Sequence, residues 1–314
     1  VIYGYAAVQE GKQLSISAGT RVHFHKDSGI FVASGGSIQV NGELSQDQEL
    51  LEREVIFEGD RLESVLAEVP GQWGTIWISP GSVNNNINYL TIRNATVGLL
   101  VEGNVQSQTP TLNLKNTQIL NSASINLWGK STSITGENLV LGGAGDISLY
   151  CNLGGSYSFV HATIANFWQN GFRTGAALEI DNFQADESAD LLSASFINCI
   201  IDGNTFLELN LNTNQSNAFN YSFTNCMIKF NDSGSQFEED PRYDFKNSML
   251  YSEVLLNENP NFFDTSVNDF RLADPSPARD KANFEGANLV PIDLLGRNRT
   301  GSPDIGAYEV EVQN

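Results

Sequence analysis

One short pattern, Asn-X-X-aliphatic, recurs along this chain at a nearly constant interval. It is seen at Asn94, Asn116, Asn138, Asn198, Asn225 and Asn247, with His161 in the Asn position of a further copy. Successive copies lie 22, 22, 23, 37, 27 and 22 residues apart. Most follow a short alternating segment, such as Leu112-Asn113-Leu114, Ser195-Phe196-Ile197 or Tyr221-Ser222-Phe223-Thr224. A fixed period of about 20 to 50 residues marks a stacked repeat, because one unit cannot bury its apolar face alone. The unit here is all strand. The pattern therefore predicts an all-β, right-handed, single-stranded parallel β-helix of about nine or ten turns. Turns of such a coil stack about 4.8 Å apart, the ordinary strand spacing. Amides at equivalent corners can then donate and accept along the axis as an Asn ladder. His161 reads as a ladder member and not as a catalytic base.

The 314 residues form one predicted domain, since a solenoid lengthens by adding turns. Residues 1–88 read as N-terminal turns and 89–256 as regular turns of about 22 residues. Residues 257–314, where the repeat dissolves, read as a capping tail over the last turn. One short helix is conceivable at Gln46 to Glu54. No apolar run is long enough to span a bilayer. The chain opens on Val1-Ile2-Tyr3 with no signal pattern, so an export signal and any anchor are expected upstream.

A net charge of −20 argues against nucleic acid, which is held by Lys and Arg neutralising phosphates. It also disfavours anionic polysaccharide unless a divalent cation bridges the two. Cys199 and Cys226 share a repeat position and are expected to stack as buried thiols, with a disulfide as the alternative. His23 and His25 share a strand face without a third ligand and read as surface residues. Asp146 and Asp202 read as turn formers in Gly-rich bends. Arg93, Lys115 and Glu137, each preceding a ladder Asn, read as a solvated charge ladder.

The opening segments Leu14-Ser-Ile-Ser-Ala-Gly-Thr20, Ile38-Gln-Val-Asn-Gly-Glu-Leu44, Val55-Ile-Phe-Glu-Gly-Asp-Arg61 and Pro70-Gly-Gln-Trp-Gly-Thr-Ile76 resemble the first turns of bacterial parallel β-helix proteins of the pectin-lyase-like superfamily. The likeness is nearest to surface lipoproteins of Bacteroidetes type. The closing segments Ser276-Pro-Ala-Arg-Asp280, Asp293-Leu-Leu-Gly-Arg-Asn-Arg299 and Asp304-Ile-Gly-Ala-Tyr-Glu309 are similar to the end of the same group. The resemblance implies export, placement at the outer surface and lipid anchoring ahead of Val1. It implies little chemistry.

No Gly-His-Gly or Arg-Ile-Lys segment accompanies the repeats, and no carboxylate set matches a cleavage scheme, so no catalytic residue is assigned. The expected function is a non-catalytic surface scaffold binding polysaccharide or another envelope protein, with a place in an outer-membrane assembly as one form of that role. The competing reading is an extracellular polysaccharide lyase or glycoside hydrolase. Binding is expected at the insertion after His161, through Trp168, Phe172 and Arg173. No cofactor is required; Ca²⁺ is the one candidate ion, at Asp186 and Glu187 or at the turn Glu238-Glu239-Asp240.

Overall fold

A computed structural model describes residues 1–103 and 110–310. The chain winds as a parallel β-helix whose single large sheet wraps into three faces. The first face stacks Tyr5–Val8, Gly29–Val32, Ile76–Ile78, Val97–Glu102, residues 125–130 and 147–152, Leu178–Asp181 and Leu209–Asn212. The second face runs from Gln13–Ser17 to Tyr251–Ser252, and the third from Arg21–Phe24 to Leu255–Leu256. Every pairing in this sheet is parallel and close to register, so alternate residues form continuous columns inside and outside the coil. Inside, Phe159, Phe196, Phe223 and Tyr251 stack rung on rung, with ring centroids 5.4, 4.9 and 5.5 Å apart. The column starts beneath Gly136, where an added Cβ would meet the Phe159 ring at 2.5 Å. Cys199 and Cys226 stack as free buried thiols, with the Cys199 N–H 3.4 Å from Cys226 Sγ.

The ladder forms at the corner between the second and third faces. Asn116, Asn138, His161, Asn198 and Asn225 all adopt left-handed backbone there, with φ between 47° and 57°. Asn tolerates this region better than most residues with a Cβ. Asn138 Nδ2 donates to Asn116 Oδ1 at 2.9 Å, and Asn116 Nδ2 to Asn88 Oδ1 at 2.8 Å. Asn198 Nδ2 donates to His161 Nε2 at 2.9 Å, which leaves the proton of the neutral ring on Nδ1, facing the Gly306 carbonyl. Burial, then the nearby Arg299, push the His161 pKa well down.

Two expected members are elsewhere. Asn94 sits one corner on, accepting from Asn121 Nδ2 at 2.7 Å across 27 residues, and Arg93 registers with Leu120. The interval of 22 between Asn94 and Asn116 therefore joins two different columns. Asn247 lies in a turn; Thr224 registers with Ser252, which puts Glu253, at φ 53°, on the corner after Asn225. Lys115 and Glu137 do pair on the outside at 2.8 Å.

Gln46 to Glu54 is irregular, not helical. Leu51 is left-handed, and the Asp47 and Glu52 carboxylates take the N–H groups a helix would have used. The α-helix of the described residues is Phe284–Leu289, in the tail.

The open edge of the first face is closed by the segment between the final rungs. Leu211, on the open edge of the first face, donates its N–H to Tyr243 Oη at 2.8 Å, and its carbonyl accepts from Arg242. Unpaired strand edges recruit other strands, and these two side chains occupy this one. The tail instead returns along the third face, whose outward column Val140, Thr163, Ile200, Met227 and Leu255 is largely apolar. Phe270, Leu294, Ala307 and Tyr308 cover Leu120, Val140 and Ala165, while Leu272, Ala278, Ala282, Ile305 and Val310 cover Ile200 and Met227. The tail also completes the ladder: carbonyls of Lys281, Asn283 and Ile292 accept from Asn225, Asn198 and Asn138. Residues 311–314, within the expected tail, lie outside the described residues.

Candidate functional site

The outer side of the first face carries an unusual column. Strands whose flanking residues enter the core place an aromatic or aliphatic residue outward between them, as in Ile76-Trp77-Ile78. Register then stacks Phe31, Trp77, Leu100, Trp128, Tyr150, Glu179 and Asn210 along the coil axis. Trp77 is 37 % exposed, and Phe31, Leu100, Trp128 and Tyr150 are half-buried. Phe31 meets Trp77 edge-on at 5.0 Å, and Trp128 stacks on Tyr150 at 5.9 Å.

A second outward column, two residues further along each strand, supplies polar partners. Trp77 Nε1 donates to Glu102 Oε2 at 2.7 Å, and Trp128 Nε1 to Asn152 Oδ1 at 3.3 Å. Tyr150 Oη donates to Asp181 Oδ2 at 2.7 Å. Asp181 Oδ1 also accepts from Asn152 Nδ2 at 2.9 Å and from the Leu153 N–H at 2.7 Å. Burial raises the Asp181 pKa, and these donors oppose the rise. Burial also raises Glu179, whose Oε1 accepts from the Ala176 N–H at 3.0 Å. The ring edges are thus tied down while the column stays partly open. Aromatic faces flanked by a few fixed polar groups suit ligands with both C–H faces and hydroxyls.

The insertion expected to bind ligand leads from strand Thr163–Asn166 of the third face into strand Leu178–Asp181 of the first. Arg173 is not available: its side chain is 2 % exposed and forms a two-pronged pair with Glu208, at 2.9 and 2.6 Å. It also donates to the carbonyls of Asn166 and Gly175 and to Asn204 Oδ1. Glu208, itself fully buried, accepts the N–H groups of Ala177 and Thr205. This pair locks loop 166–177 to loop 204–208. Trp168 is buried against the coil, while Phe172, with Phe206 on the neighbouring loop, stands in solvent. Asp146 anchors the far end of the insertion by accepting from Thr174 Oγ1 and the Gly175 N–H.

The expected ion sites are not assembled. Asp186 and Glu187 are exposed on the small hairpin that pairs Phe183–Gln184 with Glu187–Ser188. Glu238 and Glu239 are exposed, and Asp240 is taken by Arg242, which lowers its pKa. Among the described residues no group of three His, Cys, Asp or Glu is placed to hold a metal. His23 and His25 face Glu58 and Asp60 on the next rung. Among the described residues no helix is long and apolar enough to cross a membrane. No protein-family model matches the chain, and no curated protein matches it significantly.

Proposed function

We propose that this chain is a glycan-binding β-helix that lays an extended polysaccharide along the outer side of its first face, parallel to the coil axis. The carrying observation is the axial column of Phe31, Trp77, Leu100, Trp128 and Tyr150. Pyranose rings stack on such faces, and the half-buried Glu102 and Glu179 are positioned beside them for hydroxyls. The carboxylates on this strip, with the net charge of −20, favour a neutral glycan over a uronate-rich one. The resemblance of the opening and closing segments to bacterial pectin-lyase-like surface proteins fits this reading, with placement at the outer cell surface and lipid anchoring upstream.

The reading is non-catalytic because the Asp181 carboxylate is already committed on both oxygens to Tyr150, Asn152 and Leu153. A cleaving enzyme is the second reading. It draws on Glu179 and Asp181, two residues apart on one strand face, as a pair of carboxyl groups of the kind that flanks a glycosidic bond. Affinity electrophoresis against neutral soluble polysaccharides tests both. Binding should fall at least about tenfold in Trp77→Ala and Trp128→Ala. Retention in both variants refutes the binding strip, and release of reducing or unsaturated ends by the wild-type chain refutes the non-catalytic reading.

A further inference from the structure

A cleft of about 320 Å³ opens where the third face meets the start of the tail, away from the aromatic strip. Four separated parts of the chain build it: Phe167 from the insertion, Asp202 from strand Ile200–Gly203, Lys229 just after strand Met227–Ile228, and Asn257 to Asn259 from the start of the tail. Its floor is a preset donor and acceptor. Gly203 fixes both, its N–H donating to Asp202 Oδ1 at 2.7 Å and its carbonyl accepting from Lys229 Nζ. The two charges are held 3.8 Å apart, beyond direct hydrogen-bonding distance. One side is an aromatic plate, since Phe167 is wedged against Phe262 and Phe270, each with its ring centroid 6.1 Å away.

Each alternative ligand class meets an obstacle. A metal ion would face the Lys229 ammonium. A small anion would face Asp202, with Glu258 on the rim. What matches an ion pair too long for a direct hydrogen bond, with donor and acceptor capacity left on each partner, is a neutral ligand with adjacent hydroxyls. One hydroxyl donates to Asp202, its neighbour accepts from Lys229, and the C–H face lies toward Phe167. The volume is at the lower end for ligand pockets, which suits one or two sugar rings. We infer that this cleft binds a single sugar residue or another small neutral polyol, through Asp202, Lys229 and Phe167. The site stands independently of the proposed polysaccharide strip.

The carboxylate form is the one that accepts hydroxyl donors, which sets a pH dependence. The charged groups around Asp202 are Lys229, Glu208 with its partner Arg173, and Glu258 on the tail. Burial raises the Asp202 pKa to about 6, against the opposing pull of the Gly203 N–H and Lys229. Affinity is therefore full above that pH and falls as Asp202 protonates below it.

The experiment is ligand-observed NMR and calorimetry on the full chain with free glucose, galactose, mannose and N-acetylglucosamine, at pH 7.5 and 5. At least one sugar should bind saturably at the higher pH and more weakly at the lower. Asp202→Asn and Lys229→Met should each weaken it by about tenfold or more, the cost of one or two charge-assisted hydrogen bonds. Asp202→Asn should also abolish the pH dependence. Melting curves establish that each variant is folded, and the two substitutions serve as checks on one another. Absence of binding by all four sugars overturns the proposal, as does binding that survives both substitutions. Monosaccharide binding that disappears in Trp128→Ala would place the site on the first face and overturn it equally.

Discussion

Replacing Asn138 by Leu tests the ladder where it carries most. The Asn138 side chain donates to Asn116 Oδ1 at 2.9 Å and to the Ile292 carbonyl at 2.8 Å, and it accepts from Arg299 Nη2 at 3.0 Å. Losing the two neutral bonds costs about 1 kcal/mol each, and losing the bond from a buried cation about 2 kcal/mol more. Leu keeps the volume but not the conformation: at φ 51° a residue of this kind adds about 1–2 kcal/mol. Apolar burial of the new side chain returns about 1 kcal/mol, leaving a net loss of roughly 4–5 kcal/mol. Asn138→Gly removes the same bonds and escapes the backbone penalty but gains no apolar burial, so its loss of about 4 kcal/mol should lie within about 1 kcal/mol of the Leu value. Guanidinium denaturation followed by tryptophan fluorescence measures both. A cycle with Arg299→Met should show coupling of about 1–3 kcal/mol, since the two side chains are in contact. An Asn138→Leu midpoint within error of wild type, or no coupling to Arg299→Met, would refute the reasoning.

Other expected outcomes follow from single features. Glu208→Gln leaves the Arg173 guanidinium buried without its counter-charge and should cost about 3–5 kcal/mol, whereas exposed Phe172→Ala should change stability by less than about 0.5 kcal/mol. Because the His161 pKa is depressed in the fold, the unfolded chain binds the proton more tightly; the His161 contribution is fully present above about pH 6.5 and declines below it, by up to about 1.4 kcal/mol per pH unit. The ring signals of His161 should accordingly not titrate between pH 8 and 5.5 in NMR spectra of the folded chain. Cys151, Cys199 and Cys226 are all buried and free, so a thiol reagent should label none of them in native protein and all three after denaturation.

The coil was legible because period, left-handed corner and strand alternation reinforce one another in Asn116, Asn138 and Asn198. Spacing alone misled at Asn94, since two corners of adjacent rungs can lie 22 residues apart as easily as one corner of successive rungs. Trp77, Trp128 and Tyr150 went unread in the sequence because their alignment depends on register through loops of unequal length. Arg173 misled for a different reason. Its partner, Glu208, lies 35 residues later, and nothing local distinguishes an Arg meant for a ligand from one meant to clamp two loops. Asp202 was readable as a turn former, and becomes a cleft residue only when Lys229 and the tail are folded beside it.

The return of the tail changes how such a coil must come apart. In a plain solenoid each rung touches its neighbours alone, so it can fray from either end in small steps. Here Arg299 reaches Asn138 across 161 residues of chain, Tyr308 reaches Gln118 across 190, and Asn283 meets Asn198 on the way. Distant rungs are thereby made answerable to one splint. Unzipping from the end would have to strip the tail first, which favours one steep transition over a staircase. The same closure joins residues 161 and 190 positions apart, so it adds to the non-local contacts that slow assembly.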